Sequence, residues 1–247
     1  MKYAMMFADQ VRTAIEENWP VVLPVGVLEY HAEHCVTGVD TLLVVRAVEE
    51  LEKEMDLVML PPFHYGTASD AVAPPEKNGT VNIDASVVNS FAGSLFRGLL
   101  RVGFRNIHVF IHHQSENFTA GMPTDLAFKF AARQELFHYL DKEHGAGWWG
   151  SDAMKDYYTQ HGEGADPFSW IQVHPLMDAE AQSKFPIDHA GWQETSLMMS
   201  FCPEGVDMDR LDTSKWFVKE AGDASKTCGD EAKAMILRGM RKKLGCF

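Results

Sequence analysis

The sequence predicts an α/β protein with a largely parallel sheet. Three observations carry this prediction: short apolar runs of strand length, amphipathic helical stretches alternating with them, and no linker or composition break dividing the 247 residues. The chain is therefore read as one domain over residues 1–247. The apolar fraction of 46% suits a full globular core.

In order, residues 8–18 read as an amphipathic helix that Pro20 stops. Residues 21–27 are continuous, β-branched and short, the mark of a strand buried on both faces. A polar loop leads to a helix over 41–55, then a short strand over 57–60 ended by Pro61-Pro62. Residues 63–82 form a loop rich in Gly, Pro, Ser and Asn, long enough to suggest a functional role. A helix over 83–102 has Asp84 in its first turn and Gly103 just past its end. A third strand over 106–111 precedes a long helix over 124–143. Residues 145–186 read as aromatic and irregular, with Trp148, Trp149, Tyr157, Tyr158, Phe168 and Trp170; an insertion, a lid or an oligomer contact would suit them. An apolar segment over 197–201 and a basic-ended helix or helix pair over 214–244 complete the chain.

A net charge of −13 and a pI near 5.2 exclude nucleic acid and anionic membrane as partners, because phosphate binding needs a basic surface. Cys35, Cys202, Cys228 and Cys246 are scattered without a CxxC pair and read as reduced thiols. Asp9, Arg12, Glu16 and Glu17 interrupt any signal-like apolar stretch, and no run approaches the ~20 residues of a membrane helix. A cytoplasmic protein is expected.

Three polar clusters carry chemistry. Glu29, His31, His34 and Asp40 follow the first strand within twelve residues. Two carboxylates and two imidazoles there are costly to bury as free charges, and a divalent cation resolves that cost. Asp40 can bridge two cations; taken alone, it is equally a cap for the helix that follows. The second cluster, His112 to Asn117, ends the third strand, where open α/β sheets bind ligands. Strand alternation allows only one of His112 and His113 to face the site. His189 and Glu194 form the third cluster, suited to proton transfer and to orienting or ligating. There is no GxSxG, Walker loop or GxGxxG, so serine hydrolase, P-loop and dinucleotide chemistry lack their motifs.

These clusters, in this order, resemble the creatininase (creatinine amidohydrolase-like) family. Glu29, His31, His34 and Asp40, introduced by Pro24-Val25-Gly26, are similar to its E-x-H-x-x-H-x5-D motif. Pro61-Pro62-Phe63-His64-Tyr65-Gly66 with Ser69 and Gly79-Thr80 resembles its PP-x-x-YG…GT loop. Gly103-Phe104 with residues 107–111 resembles its GF-x-x-I strand, and His189-Ala190-Gly191 with Glu194-Thr195-Ser196-Leu197-Met198 its HAG-x-x-ETS-L-M signature.

The resemblance implies a three-layer α/β/α sandwich, a homohexamer, and two divalent cations (zinc, manganese or iron) that hydrolyse the C–N bond of a small cyclic or linear amide through a metal-bridged hydroxide. By match, Glu29 binds one metal, His31 the other, Asp40 bridges and His189 is catalytic. Glu194 orients His189 or completes a metal shell, and Glu116 matches a ligand of the second metal. Ser69, Gly79, Thr80 and Ser115 are the expected substrate contacts, and His34 is an outer partner. The family's strand-end motif is N-G-H-x-x-N. Alignment on Asn117 puts Gln114 at the ligand position, with His113 one residue earlier and the better ligand. The Gln114 departure motivates the alternative reading, a catalytically degenerate member that binds a ligand or stabilises an assembly.

Overall fold

A computed structural model describes residues 1–152, 156 and 166–245. Its sheet has four parallel strands in the spatial order β2-β1-β3-β4: β1 (Val21–Val25), β2 (Val58–Met59), β3 (Ile107–Ile111) and β4 (Ile171–Pro175). Side chains alternate across the sheet, so each strand feeds two cores. Val21, Leu23, Val25, Ile107, Val109 and Ile111 meet α1 (Ala8–Glu16), α3 (Ala85–Val102) and α4 (Pro123–His144). Val22 and Phe110 meet the opposite core, filled from α2 (Val39–Glu52), α5 (Ala179–Lys184), α6 (Trp192–Phe201) and α7 (Lys226–Lys243). Helices on both faces leave β1 and β3 buried along their whole length, which is why they read as unbroken apolar runs. The architecture is a three-layer α/β/α sandwich. Among the described residues, no helix is long and apolar enough to cross a membrane.

The chain path positions the site. From β1 the chain crosses to β2 through α2 on one face, then returns past β1 to β3 through α3 on the other. The loops leaving β1 and β3 therefore diverge and open a crevice at the C-terminal ends of these strands.

One expectation needs correction. Residues 145–186, read as irregular, hold β4 and α5 as well as short turns at Trp148–Gly150 and Pro167–Ser169. β4 is an edge strand with Gln172, His174 and Pro175 in five residues, so it lacks the apolar run that marks β1 and β3. Its His174 shares a 3.0 Å ring-nitrogen hydrogen bond with His108 of β3, a partner that local sequence does not reveal. Tyr157, Tyr158, His161 and Cys246 lie outside the described residues. The C-terminal helix covers only the latter part of residues 214–244, because 3-10 turns at Trp216–Val218 and Ala221–Asp223 precede it.

α6 and α7 cross at Gly229, where a Cβ would stand 1.9 Å from the Ser196 main-chain oxygen. Gly229→Ala is expected to push the helices apart and cost about 1–3 kcal/mol or more of unfolding free energy. Urea denaturation measures this, and wild-type stability in the variant overturns the packing account.

Candidate metal centre

Close backbone packing delivers the site's first carboxylates. β1 ends at Val25, and at Gly26 a Cβ would lie 2.5 Å from the Thr41 nitrogen and 2.8 Å from the Asp40 carbonyl carbon. Only glycine lets the first turn of α2 press against the strand end. That helix starts at Val39 with Gly38 as its N-cap, so Asp40 sits inside the first turn and its carboxylate is not the cap. Glu29 and His31 come from the loop between them. Across the crevice, β3 stops at Ile111, and Gln114 takes the left-handed conformation (φ 51°, ψ 34°). The turn removes the strand alternation, so His112 and His113 are both buried in the site; the expectation that only one would face it is corrected.

A second tight turn brings His189 and Glu194 together. Asp188 accepts the Gln193 N–H at 2.8 Å and the Glu194 N–H at 3.0 Å, capping α6. Its Oδ2 lies 2.5 Å from where a Gly191 Cβ would be, so the turn admits no side chain there. Ala190 is left-handed (φ 50°) and donates its N–H to Glu194 Oε2 at 2.7 Å. His34 donates from Nε2 to Thr195 Oγ1 at 3.0 Å, and Thr195 in turn donates to the Ala190 carbonyl at 3.2 Å. His34 thus ties the first motif to the last without facing the cavity.

The resulting atoms form three groups: Asp40 joins the two described next, and Glu29, His31 and His189 make a third. Glu29 Oε1 and Asp40 Oδ2 lie 3.3 and 3.4 Å from His113 Nδ1. Glu194 Oε2 and Asp40 Oδ1 lie 3.4 and 3.7 Å from His31 Nε2. No residue in these two groups is more than 6% exposed. Ligand atoms at ~2.1 Å around a tetrahedral ion are separated by ~3.4 Å, so this spacing suits a cation between them. The buried donors also fit: His31 donates from Nδ1 to the Glu29 carbonyl at 3.0 Å, which turns the Nε2 lone pair on the carboxylates and leaves that atom without a hydrogen-bond partner, as is Asp40 Oδ2. His189 donates from Nε2 to the Tyr30 carbonyl at 2.8 Å, and its Nδ1 faces Glu29 Oε1 at 3.6 Å. The His189 ring stacks on His31 at 4.4 Å and meets the Phe217 ring edge to face at 5.4 Å.

A cavity of about 520 Å³ opens over these groups. Ser69, Gln114 and Glu116 line it, together with a wall that includes Ile187, Trp192, Trp216 and Phe217. Glu116 is exposed and belongs to none of the ligand groups found among the described residues, because the turn at Ser115–Asn117 carries it to the rim; Glu194 is the carboxylate beside His31. Gly79, Thr80 and Ser115 do not line the cavity. Thr80 Oγ1 accepts the Tyr30 N–H at 3.0 Å, and Ser115 Oγ bonds the His113 N–H and the Ile111 carbonyl at 3.4 Å each, so both hold site loops in place. The sequence reading named His112 only as one of a pair of which one was expected to pack behind the site, and it missed Asp188 and the Trp216-Phe217 wall. That wall belongs to residues 211–224, where Val218 and Ala221 pack on Ala32 and Ala190. Its one signal is an adjacent aromatic pair in a polar stretch.

Without cations, the carboxylates act on the imidazoles. Burial alone lowers the His31 pKa, but Glu194, Asp40 and Glu29 outweigh it and push it up to about 10 from 6.5. Burial likewise opposes charge on His113, yet Asp40 and Glu29 raise it to about 10. Against the effect of burial, Asp40 is held below the ordinary carboxylate range by His31 and His113, and Glu194 by His31 and His112. A raised histidine pKa stabilises the folded state fully below the unfolded value and loses that contribution as pH climbs through the folded one. Cation-free protein is therefore expected to lose thermal stability as pH rises from about 6.5 toward 10. A saturating divalent cation replaces the protons and flattens the slope. Thermal melts across pH measure both, and a flat profile in cation-free protein overturns the account.

The family profile of creatininase, described as creatinine amidohydrolase, matches residues 4–239. Creatinine amidohydrolase of Pseudomonas putida is 26% identical over 196 residues, 77% of this chain and 67% of that protein. The 3-dehydro-scyllo-inosose hydrolase of Thermotoga maritima is 23% identical over 207 residues, 82% of this chain and 62% of that protein. The matches thus span about two thirds of these relatives' length. A crystal structure of creatinine amidohydrolase (creatininase) has a TM-score of 0.73 at 18% identity, covering 99% of this chain and 96% of that one. A creatininase structure described as Mn and a variant described as Zn-Zn type have TM-scores of 0.72 and 0.68 at 18% and 17% identity, each covering 98% of both chains. These structural likenesses show the fold, and the profile, running through nearly the whole sequence, shows that the chain belongs to the creatininase family.

Proposed function

We propose that the protein is a divalent-metal-dependent amidohydrolase with two cations, acting on the C–N bond of a small cyclic or linear amide. The observation that supports this most is the division of Asp40: Oδ2 belongs with Glu29 and His113, Oδ1 with His31 and Glu194. A carboxylate shared in this way suits a bridging ligand. Family membership, with relatives named as hydrolases and creatininase structures described as Mn and Zn-Zn, supports the same reading.

In this reading Glu29, Asp40 and His113 hold one cation, and His31, Asp40 and Glu194 hold the other. Bound cations supply Lewis acidity, polarising the amide carbonyl and activating water for attack. The chain supplies the proton handling. The Tyr30 carbonyl fixes the His189 tautomer, so Nδ1 is the free lone pair directed at the reacting space. From there it takes the proton of the attacking water and returns it to the leaving nitrogen. Stacking between His31 and Phe217 keeps the ring in line. The cavity's volume suits a small molecule, and its wall of Ile187, Trp192, Trp216 and Phe217 limits water around the scissile bond. Ser69, Gln114, Glu116, Lys219 and Glu220, which also line the cavity, are polar groups available to contact substrate.

Elemental analysis of the purified protein is expected to find two divalent cations per chain, and Asp40→Ala to lose both. His189→Ala is expected to keep both cations while lowering turnover of a small amide at least ~100-fold. Protein that binds no cation, or an Asp40→Ala variant that binds as wild type does, overturns the proposal.

We also propose self-association, in keeping with the hexamer implied for the family. Helices α3 and α4 expose Val87 (56%), Phe91 (46%), Leu126 (48%), Phe130 (61%) and Phe137 (47%), more apolar surface than a lone chain needs to show. Light scattering is expected to give a multiple of the 27.7 kDa chain mass, six-fold for a hexamer, and Phe130→Glu to reduce it. A monomeric wild type overturns this.

A further inference from the structure

His112 is the buried titratable side chain in the crevice that the proposed ligand set does not use. It is 2% exposed, and its Nε2 lies 2.9 Å from Glu194 Oε1. The other oxygen of Glu194 is engaged elsewhere: Oε2 faces His31 Nε2 at 3.4 Å and accepts the Ala190 N–H at 2.7 Å. Glu194 therefore has a separate task for each oxygen. The imidazole itself has little freedom. Its own main-chain N–H donates to the Val25 carbonyl at 3.3 Å, tying it to the end of β1, and the left-handed turn at Gln114 follows two residues later. The backbone is pinned by the sheet, the ring is buried, and Nε2 is the ring nitrogen that bonds, while Nδ1 is buried without a hydrogen-bond partner.

We propose that His112 is a positioning residue that restricts Glu194 to one ligand atom, Oε2, and so sets the cation affinity of the half of the centre that Glu194 serves. The inference rests on the two-cation reading above. A carboxylate whose second oxygen accepts a short hydrogen bond from an imidazole does not turn to chelate with both. Outer partners of this kind set affinity by orienting the ligand, and their loss typically weakens binding 10–100-fold. The effect falls chiefly on the half that Glu194 serves, because His112 hydrogen-bonds Glu194 and shares no hydrogen bond or ion pair with Glu29 or His113 among those of the described residues. With Glu194 limited to Oε2, the protein offers that half three atoms: His31 Nε2, Asp40 Oδ1 and Glu194 Oε2.

The test is a competition titration with a chromophoric chelator and zinc, run on wild type, His112→Ala, His112→Gln and the pair Glu194→Gln and His112→Ala/Glu194→Gln. Wild type is expected to show two affinities. His112→Ala should weaken one of them about 10–100-fold and leave the other unchanged. His112→Gln keeps an N–H donor and should restore most of the loss. Adding His112→Ala to Glu194→Gln should cost nothing further, because His112 acts through Glu194. A general structural defect would instead lower both affinities together. Two wild-type sites with His112→Ala unchanged, both sites weakened equally, or His112→Gln as weak as His112→Ala overturns this inference and leaves the two-cation reading standing. A wild type that binds no zinc overturns both.

Discussion

Everything in the crevice depends on the approach of the α2 N-terminus to the end of β1. Gly26 removes the one atom that would hold them apart, and Asp40 enters between the two halves of the site as a consequence. The other residues of the proposed ligand set come from three separate places: the loop after β1, the end of β3 and the first turn of α6. The loop after β1 touches the other two, through Glu29 with His113 and His31 with Glu194, and the Asp40 carboxylate lies against both His31 and His113. Burying that carboxylate with Glu29 and Glu194 is tolerable only against positive charge, from protonated histidines or from cations. The site's geometry and its electrostatics are thus one constraint seen twice.

Preorganisation follows from hydrogen bonds that do no chemistry. The Glu29 and Tyr30 carbonyls choose the tautomers of His31 and His189, and Asp188 caps α6 so that Glu194 points inward. His34 and Thr195 tie the loop after β1 to the turn at Ala190. Backbone and outer side chains thereby fix atoms that would otherwise need reorganisation at each turnover.

The β1 half of this centre was legible in the sequence because its signals are local. A buried strand, a glycine and three ligand-type residues at short spacing survive as a pattern however the rest folds. Helix α3, with its apolar face and terminal Gly103, was legible for the same reason. β4 was not, since an edge strand with Gln172, His174 and Pro175 draws its identity from pairing with β3, a long-range fact. That His112 and His113 both line the crevice was hidden, because alternation holds only while a strand lasts and this one stops at Ile111. Glu116 and Glu194 could not be ranked as ligands by type alone; burial separates them, and burial is a property of the assembled turns.

The aromatic wall has a different standing from the floor beneath it. Trp216 and Phe217 ride on a stretch fastened chiefly by two small side chains, Val218 and Ala221, against Ala32 and Ala190. Nothing in that stretch supplies a ligand atom, and nothing in the sheet requires its particular aromatics. Such a construction is modular: the lining can be exchanged through divergence while the reactive floor stays constant. Substitutions at Trp216 and Phe217 can therefore reshape the cavity without touching Asp40.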